Sequence, residues 1–317
     1  MSQPPIAFLF PGQGSQAAGM GKELAALYPV ARHTFQEADD ALGFALSQLC
    51  FAGPDDQLKM TENTQPAILT MSVAAARVLQ EKGVVPQYVA GHSLGEYSAH
   101  VAAGTLEFAD AVRTVRNRGK YMQEAVPAGH GAMAAILAMP LEQLQQVCTE
   151  AAQGEVVSPA NINSPDQIVI SGSAKAVERA AELAKQRGAK RAVMLPVSAP
   201  FHCALMQPAQ DRLAQDLATI QFSNPDVPAI ANIDAEAKTT GEASRSALIK
   251  QVTGAVRWAD CVQKLIALGA KTFVEVGPGK VLTGLMRQID RSQTAANVED
   301  EASLQKVTNL FAAATKD

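Results

Sequence analysis

Three short apolar runs, each broken off by a glycine-rich turn, constrain the fold of this chain more than any other feature. Ile6-Ala-Phe-Leu-Phe10 runs into Pro11-Gly-Gln-Gly-Ser-Gln16, Tyr88-Val-Ala90 into Gly91-His-Ser-Leu-Gly95, and Phe273-Val-Glu-Val276 into Gly277-Pro-Gly279. A run with little polar alternation predicts a strand buried on both faces, the condition of strands in a helix-covered parallel sheet. Helical patterns fill the intervals: 21–28, 30–41 and 64–82 precede the second run, and Glu96–Ala103, closed by Gly104, follows it. More helical sequence follows Gly279. Strands alternating with helices predict an α/β architecture around a mainly parallel sheet.

The middle of the chain reads differently. From Gly131 the order is apolar run (132–139), helix (141–152), run (156–162), run (167–171), helix (174–187) and run (191–197). This β-α-β-β-α-β order is the split pattern of a ferredoxin-like unit. The link Asn163-Ser-Pro-Asp166 has hairpin chemistry, and Pro127-Ala-Gly129 and Ser198-Ala-Pro200 bracket the unit as hinges. A small domain, residues 129–197, is therefore expected as an insertion into a larger α/β domain formed by 1–128 and 198–317. A helix is expected within the last twenty residues.

Gly91-His-Ser-Leu-Gly95 is also a G-x-S-x-G pentapeptide at a strand-to-helix join, the setting of a nucleophile elbow. A hydroxyl attacks when a sharp turn projects it and a base takes its proton. Glycines on either side let the two backbones approach. The alternative is a glycine-flanked turn carrying an unreactive serine. Five histidines are available as the base. His92 adjoins Ser93, where neighbouring side chains diverge, and His100 lies two turns into the following helix. His33 and His130 sit in a helical stretch and a glycine-rich link. His202 follows the second hinge and opens the helix-like segment 203–213, so it can face a cleft at the domain junction; a surface histidine is the bland alternative.

In the helix expected over 107–126, apolar residues fall at 108, 111, 112, 115, 122, 125 and 126, and the same stripe passes through Arg118. Arg113, Arg116 and Lys120 lie off it. A cation on the buried face needs an anion. That anion is either an Asp or Glu of this chain or a substrate carboxylate gripped by the guanidinium fork. The loop 11–16 lacks the spacing of a P-loop or a dinucleotide fingerprint; its backbone N–H groups suit an oxyanion hole instead.

A formal net charge of −4 argues against general nucleic-acid binding. Cys50, Cys148, Cys203 and Cys261 lie far apart, which indicates neither a zinc site nor a disulfide framework. The run Ile6–Phe10 is short for a signal peptide and no apolar stretch is long enough to span a bilayer. A cytoplasmic protein is expected.

Six segments occur in order: Phe10-Pro-Gly-Gln-Gly-Ser-Gln16, Gly91-His-Ser-Leu-Gly-Glu-Tyr97, Arg118-Gly-Lys-Tyr-Met-Gln123, Asn161-Ile-Asn163, Pro200-Phe-His-Cys203 and Val276-Gly-Pro-Gly279. Together they resemble the malonyl-CoA:acyl carrier protein transacylases of bacterial fatty acid synthesis, along nearly the whole chain. The resemblance implies an α/β-hydrolase-like large domain with the ferredoxin-like insertion. It implies Ser93 as nucleophile, His202 as base, and the backbone N–H groups of Gln13 and Leu94 as oxyanion hole. Arg118 would pair with the malonyl carboxylate. Gln251 would lie close by, with a backbone carbonyl near that segment orienting His202. Phe201 resembles the malonyl-preferring version of the site, and Asn161 joins the substrate-binding set. Family members often carry proline where this chain has Ala255, a departure that touches only the Gln251 segment.

Malonyl-CoA and an acyl carrier protein are the implied partners, with no metal, no cofactor, no nucleic acid and no membrane; a monomer is expected. Lys185, Arg187, Lys190 and Arg191 offer a basic surface to an acidic carrier, or simply favourable charge at a helix C-terminus. Other readings are a transacylase of polyketide or malonate-decarboxylation chemistry, a serine hydrolase or thioesterase, and an inactive docking protein.

Overall fold

The computed structural model describes residues 5–197 and 199–314. Its first strand, β1 (Ile6–Phe10), is buried throughout, and alternate side chains serve different cores. Ile6, Phe8 and Phe10 pack in the cluster that includes Ile68, Leu79 and Val115. These last come from the helices Thr61–Glu81 and Phe108–Glu124. Ala7 and Leu9 point the other way, into a cluster with Trp258, Phe273 and Met286. Cover on both faces is why the run carries no polar alternation.

The remaining strands are β2 (Tyr88–Gly91), β3 (Gly131–Leu137), β4 (Val157–Ser164), β5 (Gln167–Ser173), β6 (Arg191–Met194), β7 (Ala229–Ile230), β8 (Ala237–Lys238), β9 (Thr272–Val276) and β10 (Thr294–Val298). One sheet has the order β10-β9-β1-β2-β7-β8. Its pairings are parallel except β7 with β8. The fold is thus mixed α/β with a mainly parallel sheet, and the three apolar runs are its adjacent central strands. The turns after all three leave the same edge of the sheet, the position where open α/β sheets build sites.

The second sheet is antiparallel, in the order β4-β5-β3-β6. One face packs on the helices Leu141–Ala152 and Ala174–Gln186 through Ile136, Leu144, Ile170 and Val177. The other carries Met133, Ala135, Ala160 and Val169 against Val197 and Phe201. Reciprocal backbone bonds tie the sheets' surroundings together: Ile162 N–H donates to the Val256 carbonyl (2.9 Å), and Val256 N–H to that of Ala160 (2.8 Å). The hairpin link is tighter than expected. Ser164 pairs with Gln167, so only Pro165 and Asp166 turn.

Elements without a strong local pattern were not legible in the sequence. β7 and β8 have two residues each, and β10 is a largely half-exposed edge strand. The helix around 203–213 begins later than expected, as a short 3-10 turn followed by Gln207–Ala218. The terminal helix runs over Glu301–Ala314. Of the second hinge, Ser198 lies outside the described residues. No helix among the described residues is long and apolar enough to cross a membrane.

The elbow geometry predicts a sharp contrast between glycines. A Cβ at Gly91 would sit 1.9 Å from the Gly95 backbone, whereas one at Gly284, inside the helix Val281–Ile289, meets nothing within 4 Å. Gly91→Ala should cost more than about 3 kcal/mol in denaturant unfolding, and Gly284→Ala should gain about 0.5–1 kcal/mol. Equal behaviour of the two variants would contradict the close approach.

Candidate active site

Ser93 sits on the turn between β2 and the helix Gly95–Ala102 with φ 53°, in the left-handed region. A residue with a Cβ adopts this conformation only when its surroundings over-determine it. Asn232, just beyond β7, does much of that work. Its Oδ1 accepts the Ser93 N–H (2.8 Å) and its Nδ2 donates to the Gly91 carbonyl (2.8 Å). His92 N–H donates to the Phe10 carbonyl (2.9 Å), and its Nε2 to Asn163 Oδ1 (2.8 Å). Burial lowers the pKa of His92.

His202 also has a left-handed backbone, φ 59°, and its Nε2 lies 2.7 Å from Ser93 Oγ. Its Nδ1 is 2.9 Å from the Gln251 carbonyl oxygen, which can only accept. Nδ1 therefore carries the proton in the neutral ring, and the Nε2 lone pair faces the serine hydroxyl. Burial first, then the charge of Arg118, holds the imidazole down to about 3, so it is neutral at physiological pH. His100 is buried elsewhere in the helix after Ser93 and is pushed down to about 4. His33 and His130 are exposed.

Arg118 is 2% exposed, on the buried stripe of its helix. Among the described residues no carboxylate makes an ion pair with it. Its Nη1 donates to Gln65 Oε1 (2.7 Å), and its Nη2 to Gln251 Oε1 (2.9 Å) and Ser93 Oγ (3.1 Å). The Tyr97 ring lies 5.7 Å from the guanidinium carbon. Behind Gln251, the buried Glu96 accepts from Gln251 Nε2 (2.7 Å) and Asn232 N–H (3.0 Å). Burial raises its carboxyl to about 7, against the opposing pull of those bonds and of Arg118.

Ser93, His202 and Arg118 open into a cavity of about 420 Å³ whose wall also includes Gln13, Leu94, Asn161 and Phe201. The backbone N–H groups of Gln13 and Leu94 make no hydrogen bond to other described residues. Asn161 Oδ1 is buried without a hydrogen-bond partner among the described residues. Gln251 is fully buried behind the wall, where its side chain meets Arg118 and its carbonyl meets His202. The arrangement joins a projected hydroxyl, a neutral base and a buried cation with spare donors, a combination suited to acyl transfer involving an acid-bearing group.

Gln65, Asn232 and Glu96 were not identified from sequence as parts of this arrangement. None of the three carried a usable signal, since nothing local says what it faces; Gln65 itself ends the polar stretch Thr61-Glu-Asn-Thr-Gln65. Among the described residues no cluster of His, Cys, Asp and Glu has metal-binding geometry. In the basic cluster, Lys185 lies 3.8 Å from Glu182 and Arg187 pairs with Glu150, which reduces the excess positive charge there.

Residues 7–312 match the acyl transferase domain family. The malonyl CoA-acyl carrier protein transacylase of Escherichia coli is 52% identical over 306 residues, covering 96% of this chain and 99% of that protein. An acyl carrier protein S-malonyltransferase from Vibrio cholerae is 51% identical, with a TM-score of 0.94 over 95% of this chain and 99% of its own. PlMCAT, a malonyl-transacylase solved with the type II PKS acyl-carrier protein AntF, is 49% identical, with a TM-score of 0.94 over 96% and 99%.

Because the folded pKa of His202 lies below the ordinary 6.5, the unfolded chain binds the extra proton between these values. The stability this neutral burial confers is complete above pH 6.5 and is lost as pH falls toward 3. Chemical denaturation should therefore show the parent losing roughly 2 kcal/mol more than His202→Gln between about pH 7 and about pH 5. Parallel losses would mean that His202 is not held neutral.

Proposed function

Since this chain belongs to the acyl transferase domain family, we propose that it moves a malonyl group from malonyl-CoA to the phosphopantetheine thiol of an acyl carrier protein. The transfer runs through an ester on Ser93. One observation carries the reading: Ser93 Oγ lies 2.7 Å from His202 Nε2 and 3.1 Å from a buried guanidinium that has no carboxylate partner among the described residues.

The thioester carbonyl enters with its acyl carboxylate on the free N–H groups of Arg118, a charge-assisted and directional contact. Ser93 Oγ attacks the carbonyl carbon as His202 Nε2 takes the hydroxyl proton. The N–H groups of Gln13 and Leu94 receive the oxyanion. The C–S bond then breaks, CoA leaves with the proton returned by His202, and malonyl-serine remains. The carrier thiol gives its proton to His202 and attacks the ester carbonyl; the Ser93 oxygen leaves and regains the proton. A carbonyl-oriented histidine suffices as a dyad base. The arriving carboxylate also offsets the Arg118 charge that depresses His202, which raises its proton affinity when the base is needed. Every step is carried by these groups, with no role for a metal or resident cofactor.

In this reading the parallel sheet and its helices form an α/β-hydrolase-like domain, residues 1–128 and 198–317. The β-α-β-β-α-β unit, 129–197, is a ferredoxin-like insertion roofing the cavity. Its strand order and the packing of Met133 and Val197 toward Phe201 support this division. The enzyme acts as a monomer and supplies fatty acid synthesis in the cytoplasm, in keeping with four buried, unpaired cysteines.

Incubation with labelled malonyl-CoA, with and without carrier protein, tests the proposal. A malonyl ester on Ser93 that transfers to the carrier thiol is expected; rapid release of free malonate would point to hydrolysis. Arg118→Ala should lower malonyl transfer by roughly 10- to 100-fold while acetyl transfer holds or improves. An equal loss with both acyl groups would make Arg118 structural.

A further inference from the structure

We propose that Glu96 is a positioning residue for acyl-group selection: through the Gln251 amide it keeps Arg118 oriented and open to a carboxylate-bearing substrate. The inference rests on the function proposed above. Glu96 stands in the first turn of the helix behind Ser93 and is 1% exposed. Its Oε2 accepts from Gln251 Nε2 at 2.7 Å and from Asn232 N–H at 3.0 Å. Gln251 Nε2 donates a second time, to the Ser93 carbonyl at 2.8 Å, which leaves Oε1 to accept from Arg118 at 2.9 Å.

Reversing that amide would set its oxygen against the Glu96 carboxylate and the Ser93 carbonyl, and its NH₂ against the guanidinium. Acceptors would face acceptors and donors would face donors, in a buried setting where unmade hydrogen bonds are costly. Glu96 and the Ser93 carbonyl together thereby decide which end of Gln251 meets Arg118, and Glu96 is the side chain of the pair.

The same geometry settles the charge. Arg118 is gripped by two neutral carboxamide oxygens, those of Gln65 and Gln251. Neither cancels the guanidinium charge. A carboxylate bonded directly to Arg118 would fill its donor fork and force a substrate acid to compete for it. Glu96 instead bonds to the amide and not to the guanidinium, so it fixes Gln251 while leaving donors of Arg118 for the substrate.

Kinetics of full-length Glu96→Ala, Glu96→Asp and Glu96→Gln with malonyl-CoA and acetyl-CoA test the assignment. Alanine removes the acceptor and aspartate withdraws it by one methylene. Both should lower the malonyl-to-acetyl ratio of kcat/KM by about tenfold or more, chiefly through the KM for malonyl-CoA. Glutamine keeps the reach and an acceptor oxygen, and should hold the ratio within about threefold of the parent. If the alanine variant does not fold, the aspartate and glutamine pair decides. Equal losses with both substrates, an unchanged ratio in a folded alanine or aspartate variant, or a glutamine variant as unselective as aspartate would overturn the proposal. Parent enzyme in the same assay separates the two levels. A parent that transfers no malonyl defeats the functional reading; an active parent with unmoved variant ratios defeats only the role of Glu96.

Discussion

A side chain at Gly95 would bring its Cβ within 2.1 Å of the Phe10 carbonyl oxygen, and one at Gly91 within 1.9 Å of the Gly95 backbone. This contact between the end of β1, the end of β2 and the start of the next helix is the constraint on which the rest depends. It bends the chain sharply enough to hold Ser93 at a positive φ and to direct its hydroxyl out of the sheet edge. The turn after β1 is pressed into the same place, because Gly12 leaves no room for a Cβ beside the His92 carbonyl. Two backbone segments whose Gln13 and Leu94 N–H groups make no hydrogen bond to other described residues are thus brought to one cavity.

Burying Arg118 next to that turn is the second commitment. A guanidinium taken out of water carries a large desolvation penalty unless its donors are satisfied and its charge is compensated. Here carboxamides take part of the donor set, and the Glu96 carboxyl lies one residue further back, bonded to the Gln251 amide. The same cation depresses His202, so the electrostatics of the imidazole and of the buried guanidinium are linked.

The strands of the parallel sheet that carry apolar runs, the split β-α-β-β-α-β order and the buried stripe through Arg118 were legible because each rests on local periodicity. Side chains repeat every two residues on a strand and every three or four on a helix, so burial leaves a pattern along the chain. The two-residue strands β7 and β8 and the edge strand β10 are too short or too exposed to leave one. Asn232 follows β7, which explains why one of the best-connected residues around Ser93 carried no signal. Gln251 was reached only through family resemblance. That resemblance also pointed to a nearby carbonyl for His202, and the structure identifies it as the residue's own.

The sequence by itself determined the α/β class, the glycine turn that presents Ser93, the cation on a buried helical face and membership of the acyl transferase domain family. These follow from short-range geometry and from motifs kept in order. Only the tertiary structure decided that His202, 109 positions from Ser93, meets its hydroxyl. It alone showed that the described residues set amide oxygens, and no carboxylate, against Arg118. It alone revealed Glu96 behind them. Contacts of that kind join segments distant in the chain, and their partners are chosen by packing, which leaves no periodic trace in either segment.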